Sequence, residues 1–403
     1  MNSVCISFVG GCPRSKADVA LLFEYFGVNG WCVTNNSRQA DMVIVAGCAF
    51  SSFAEDRTLR FLSIILKKRR PGVPVMMIGC IAGINGDEIA ARYDVTPLTR
   101  GSLSRLDEMI GAEIPIEKVK ETNCIEECIE YARGGFSMLE RLSAKSRTCR
   151  HFLLKALARA YAGTSSKEAL SSADRVFTIR IARGCLEECS YCAIKLASGS
   201  LRSKPFSTVQ GEFLAGLSSG YSTFSLVAED VGAYGQDIGT NIGALLGSLL
   251  ANEGNYTVVW SDFHPRWLVQ HFTEIVDALR INPGRIRSMG FPVQSGSQRV
   301  LDVMKRNYDI REVQRCLAEV RRICPDACLS THILVGFPGE TEEDFDQTRR
   351  FVRAVGFDRV EVYDYSERPK TEAIHFDARV PQMVRYRRLF QFSREFRKAA
   401  VVY

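Results

Sequence analysis

Short apolar runs alternate with helix-spaced segments through the first hundred residues. Residues 4–9 form an apolar run, 16–26 have helical periodicity, and 42–46 return to a strand-like pattern. Residues 53–68 set Phe53, Phe61, Ile64 and Ile65 at helical intervals, and 73–78 read again as a buried strand. Short apolar strands separated by helices predict a parallel α/β layer of flavodoxin or Rossmann type over residues 1–111. The alternation fades after Arg105, and residues 112–172 are dominated by charged and small residues. They include a basic amphipathic stretch at 143–159 and a Gly-Thr-Ser-Ser-Lys segment at 163–167, and they read as a helical, polar connector.

From Val176 the alternation resumes. Strands are expected at 176–181, 223–227, 256–260, 285–290, 329–335 and 359–362, with helices between them, among others at 266–279, 310–323 and 341–355. Six such units over 173–380 predict a partial (β/α)6 barrel, smaller than the full eight-unit form. A final amphipathic helix, within residues 381–403, turns Leu389, Phe392 and Phe396 inward and leaves Arg385, Arg387, Arg388, Arg394 and Arg397 on a solvated face.

Composition narrows the class. At 403 residues, with 46% hydrophobic and 24% charged residues, the chain is an ordinary globular protein of two or three domains. The longest apolar stretch, 242–251, is too short to cross a membrane, and the first residues lack the features of a secretory signal. A cytoplasmic location and no membrane partner are expected. The net charge of +6 is compatible with an RNA partner but too small to argue for one.

Cysteine changes the picture more. Fourteen cysteines in a chain of the reducing cytoplasm point to metal or redox chemistry rather than a disulfide framework. Arg183-Gly-Cys-Leu-Glu-Glu-Cys-Ser-Tyr-Cys-Ala places Cys185, Cys189 and Cys192 in a Cys-x3-Cys-x2-Cys loop directly after the first strand of the second domain. Three thiolates on one short loop can hold three irons of a [4Fe–4S] cluster and leave the fourth open. Structural zinc wants four ligands in paired spacing, and no partner pair stands nearby. In the first domain Cys12, Cys48 and Cys80, 36 and 32 residues apart, each follow a glycine just beyond an expected parallel strand. Ligands bind at that edge of open α/β sheets, so these three would converge in space, although three buried structural cysteines are the plainer alternative. Cys124, Cys128 and Cys149 read as connector burial, and Cys316, Cys324 and Cys328 as core.

The Cys-x3-Cys-x-aromatic-Cys motif, with Tyr191 before the third cysteine, resembles the radical S-adenosylmethionine superfamily. Leu226-Val-Ala-Glu-Asp-Val-Gly-Ala-Tyr-Gly, Pro292-Val-Gln-Ser-Gly-Ser-Gln-Arg-Val-Leu-Asp-Val-Met-Lys-Arg and Ile333-Leu-Val-Gly-Phe-Pro-Gly-Glu resemble, within it, the methylthiotransferases. Arg202-Ser-Lys-Pro and Tyr365-Ser-Glu-Arg-Pro-Lys-Thr-Glu-Ala do the same. The resemblance implies two [4Fe–4S] clusters, on Cys185, Cys189 and Cys192 and on Cys12, Cys48 and Cys80. It implies S-adenosylmethionine as cofactor, a reductant such as flavodoxin or ferredoxin as partner, and conversion of an unactivated C–H to C–SCH3. It places the cofactor contacts at Tyr191, Glu229, Asp230, Gln294, Ser295, Val335 and Gly336, with no catalytic residue beyond the cluster ligands.

Two departures stand out. Ser15 and Val19-Ala20 replace the family's Asn and Ser-Glu after the first cysteine, and Ile81-Ala82-Gly83 departs from the usual Ala-Gln after the third. The chain ends at Tyr403, about where the family's small substrate-binding β-barrel would begin. On that ground the expected substrate is a peptide, protein or small molecule, with a modified adenosine of tRNA as the alternative. Two other classes are weighed. A cobalamin-binding first domain would lack a histidine ligand, because residues 1–150 contain none. An iron–sulfur redox sensor would leave the motif set unexplained, and a radical enzyme with a single cluster stands as a further alternative.

Overall fold

The computed structural model describes residues 1–134 and 175–396, which fall into two compact units. In the first, β1 (Ser3–Val9), β2 (Cys32–Thr34), β3 (Met42–Gly47), β4 (Val75–Ile78) and β5 (Thr96–Pro97) form a parallel sheet in the order β2-β1-β3-β4-β5. This is the flavodoxin-like doubly wound order, as expected. The strand sequences are apolar at nearly every position because both faces are covered. Val4, Ile6, Phe8, Met42, Ile44 and Met76 enter one layer, and Cys5, Val9, Val43, Val45, Val75 and Met77 the other.

The first unit runs past residue 111. A helix at Ile125–Gly134 sends Ile129 and Ala132 into the layer that holds Tyr25 and Phe26, while Ile125 packs on Ala17 and Ala20 beside Cys128. The expected polar connector from 112 is therefore part of this core as far as Gly134. Its apolar positions are diluted by Glu126, Glu127 and Glu130, which hid the helical stripe. The unit also takes in Cys192–Gly199 and Glu367–Thr371. The basic stretch at 143–159, the segment at 163–167, Cys149 and Arg397 lie outside the described residues.

The second unit is built on β6 (Val176–Arg180), β9 (Thr223–Val227), β10 (Thr257–Trp260), β11 (Ile286–Gly290), β12 (Cys328–Val335) and β13 (Arg359–Asp364). All pair in parallel with their chain neighbours in the order β6-β9-β10-β11-β12-β13. A short antiparallel pair, β7 (Ala182–Arg183) with β8 (Arg202–Ser203), stands beside it. Six parallel strands in sequential order, joined by helices, make the expected partial barrel. The helix expected over 266–279 is two, Pro265–Gln270 and Phe272–Ile281, broken at His271. Cys316, Cys324 and Cys328 are buried in the core.

The last described helix, Gln382–Glu395, buries Leu389 and Phe392 as expected. Its arginines depart from a simple solvated face. Arg388 is itself buried and donates to Glu340 at 2.6 Å, and Arg385 Nη1 lies 2.9 Å from Asp364. An uncompensated buried charge is costly, so Arg388→Met, which strands Glu340, is expected to destabilise the fold by about 3 kcal/mol or more. A chemical-denaturation midpoint against wild type measures it.

Candidate active site

The strand ends of the first unit bring three cysteines to one edge of the sheet. Cys12 follows β1 through Gly10-Gly11, Cys48 follows β3 directly, and Cys80 follows β4 through Gly79. Two glycines make the approach possible. A Cβ on Gly79, whose φ is +89°, would sit 2.4 Å from the Gly47 carbonyl oxygen, and one on Gly47 would strike Thr58. The Cys48 N–H donates to Thr58 Oγ1 at 3.2 Å, which fixes the turn after β3. Ser15 Oγ lies 3.0 Å from Cys12 Sγ, so the residue that departs from the family pattern touches the thiol directly.

The electrostatics tie the three together. Burial pushes the Cys80 thiol well up, and the charges of Cys48 and Cys12 push it further, against the pull of Arg14. Burial likewise raises Cys48, with Cys12 adding to it and the Phe50 N–H, Arg57 and Arg14 opposing it. A bound metal cation reverses such an upward shift, because it coordinates the thiolate. Among the described residues no three His, Cys, Asp or Glu side chains converge as ligands of a single ion do.

In the second unit the motif loop leaves β7 at Gly184, φ +79°, whose N–H donates to Glu229 at 2.8 Å. The Glu187 N–H points at Cys185 Sγ, 3.4 Å away. Ser190 anchors the loop: its N–H donates to the Met304 carbonyl, its hydroxyl to the Val303 carbonyl, and its own carbonyl accepts from the Ala373 N–H. Tyr191 Oη accepts from Arg306 Nη1 at 3.0 Å, and the same guanidinium reaches Cys189 Sγ at 3.8 Å.

The remaining expected contacts fall at strand ends, with different roles for their side chains. Asp230 is buried, and its carboxylate accepts from the His264 and Gly232 N–H groups and from Trp267 Nε1. Burial pushes its carboxyl up to about 7, and those three donors oppose the shift. Ser295 is also buried, its hydroxyl 3.2 Å from Thr348 Oγ1. Gln294 has φ +68°, rare for a residue with a side chain, and bridges to Ile333 at the end of β12. Val335 is fully buried, and Gly336, φ +78°, donates its N–H to Glu340 at 2.6 Å. A Cβ at Gly336 would meet the Arg385 side chain at 2.4 Å, so the turn admits only glycine.

Two groups escaped the sequence reading. One is Arg306, present as the last residue of the Pro292 motif without any role of its own. The other is a polar set on one face of β12 and β13, where His332 is registered opposite Glu361. Glu361 accepts from the Tyr363 hydroxyl at 2.5 Å and lies 2.6 Å from Arg359 and 3.5 Å from His332. Burial raises its carboxyl, but His332, Arg359 and Tyr363 together hold it below the usual range. Alternating apolar residues conceal such a set in sequence, because only strand pairing brings 332 and 361 together.

Comparison with known proteins bears on this arrangement. Residues 179–352 match the Radical SAM superfamily, and residues 4–100 match the Uncharacterized protein family UPF0004. A probable threonylcarbamoyladenosine tRNA methylthiotransferase of Pyrococcus horikoshii is 30% identical over 363 residues, covering 90% of this chain and 77% of the relative. The chain belongs to the radical SAM methylthiotransferase family. A tRNA-2-methylthio-N(6)-dimethylallyladenosine synthase of Xanthomonas oryzae is 28% identical and covers 94% of this chain and 74% of the relative.

The methylthiotransferase is thus an enzyme whose cofactors are S-adenosylmethionine and [4Fe–4S] clusters. Among solved structures, the radical S-adenosylmethionine methyltransferase TsrM from Kitasatospora setae, with cobalamin and a [4Fe–4S] cluster bound, superposes with a TM-score of 0.59 at 14% identity. That match covers 93% of this chain and 77% of TsrM, and at such identity it speaks for the fold alone. Among the described residues no helix is long and apolar enough to cross a membrane.

Proposed function

We propose that the enzyme converts an unactivated C–H of a modified adenosine in tRNA to C–SCH3, using two [4Fe–4S] clusters and two molecules of S-adenosylmethionine. The observation that carries this reading is the placement of Cys12, Cys48 and Cys80 just beyond the carboxyl ends of adjacent parallel strands, in a chain that also holds the radical motif. The relatives named above are tRNA-modifying enzymes by name, which favours the nucleoside over the peptide or small molecule first expected.

Cys185, Cys189 and Cys192 would hold the first cluster, which would bind S-adenosylmethionine. A cluster bound there would supply the electron for cleavage of the sulfonium, and with it the means of hydrogen abstraction. Glu229 fixes the start of the motif loop through Gly184, and Tyr191, Gln294, Val335 and Gly336 line the cofactor side. Asp230 and Ser295 position the loops after β9 and β11 from within, since their oxygens are already bonded inside the protein. Cys12, Cys48 and Cys80 would hold the second cluster, which would supply the sulfur-insertion chemistry. A flavodoxin- or ferredoxin-type protein supplies the electrons.

The test is incubation of the reconstituted enzyme with S-adenosylmethionine, reductant and tRNA from cells lacking the corresponding gene, followed by nucleoside mass spectrometry. A modified adenosine heavier by one SCH2 unit is expected. 5′-Deoxyadenosine formed with every nucleoside unchanged would overturn the tRNA assignment and return the peptide or small-molecule substrate.

A further inference from the structure

The guanidinium of Arg306 is buried, with only 4% of the residue exposed. Its side chain donates to the Pro292 carbonyl at 2.5 Å, to Tyr308 Oη at 3.1 Å, to Tyr191 Oη at 3.0 Å and to Cys189 Sγ at 3.8 Å. Three of these acceptors are neutral, and among the described residues no carboxylate stands within ion-pair distance of it. A buried cation without a counter-ion is expensive, and proteins pair such charges. The one acceptor able to carry a full negative charge is the Cys189 sulfur, which does so as a metal-bound thiolate. Tyr308 holds the fork in place by donating its own hydroxyl to the Val293 carbonyl at 2.7 Å.

We infer that Arg306 is the built-in counter-cation of the cluster on the Cys185 loop, a positioning residue that raises the cluster's reduction potential through Cys189. The inference rests on the proposed cluster ligands. Reduction adds one electron, taken from flavodoxin in the cell or dithionite in the assay, to a centre that is already anionic. A fixed positive charge at the ligand sulfur favours the reduced form over the oxidised one, and hydrogen bonds and local charge are known levers on such potentials.

The experiment is a redox titration of the holoenzyme followed by electron paramagnetic resonance, reading the signal that changes when S-adenosylmethionine is added. Arg306→Met is expected to weaken reduction at least tenfold, a midpoint more negative by about 59 mV or more for one electron. Arg306→Lys, which keeps the charge, is expected to recover most of that shift. A Met variant within threefold of wild type would overturn the inference, as would Met and Lys variants displaced equally. Where Arg306→Met fails to hold iron, the Lys variant decides. A folded Lys variant that takes up iron upholds the role of charge, and one that does not refutes it. A wild-type enzyme with no signal responsive to S-adenosylmethionine would instead refute the cluster-ligand assignment itself.

Discussion

Replacing Cys12, Cys48 and Cys80 together by alanine is expected to lower the iron and acid-labile sulfide of the reconstituted enzyme from about eight to about four per chain. The three thiols sit just beyond the carboxyl ends of the adjacent parallel strands β1, β3 and β4, so they can act as a single donor set. Methylthio transfer to substrate should vanish, while reductive cleavage of S-adenosylmethionine to 5′-deoxyadenosine persists. The two readouts separate a lost sulfur site from a lost fold. About four irons in both proteins would leave a single cluster and remove sulfur insertion from the account.

The converse variant, Cys185, Cys189 and Cys192 replaced together, is expected to abolish 5′-deoxyadenosine formation entirely. About four irons should remain, held by the first unit. Removing three ligands from one loop leaves no site for the cluster, whereas the sheet of the first unit keeps its apolar layers on both faces. Iron quantitation beside high-performance liquid chromatography of the nucleoside product checks both halves. Retained cleavage would mean that the electron enters elsewhere, and the motif loop would lose its assigned role.

The two variants exploit a division that was partly visible in the chain. The Cys185 loop is local: its three cysteines lie within eight residues, and a strand-to-helix loop is enough to gather them. Arg306 was not visible as part of that site, because it lies 114 positions beyond Cys192 and reaches Cys189 only through the turn after the helix Gln298–Val303. Glu340 and Arg388 were legible as a helix start and a helix face, yet not as a buried pair. Helical periodicity tells which way a side chain points but not what waits there.

The sequence by itself determined the alternation of strands and helices, the two α/β units and the cysteine motifs that mark a radical methylthiotransferase. Apolar periodicity and short-range spacing carry that information, since strands and helices are set by neighbours within a few residues. The tertiary structure alone decided that Ile125–Gly134 belongs to the first core, and that Cys80 feels the charges of Cys48 and Cys12. It also decided that Arg306 reaches Cys189, with no carboxylate within ion-pair distance of it among the described residues. These depend on which distant segments share a sheet edge or a buried pocket. Only the pairing order of the strands fixes that, and no local pattern encodes it.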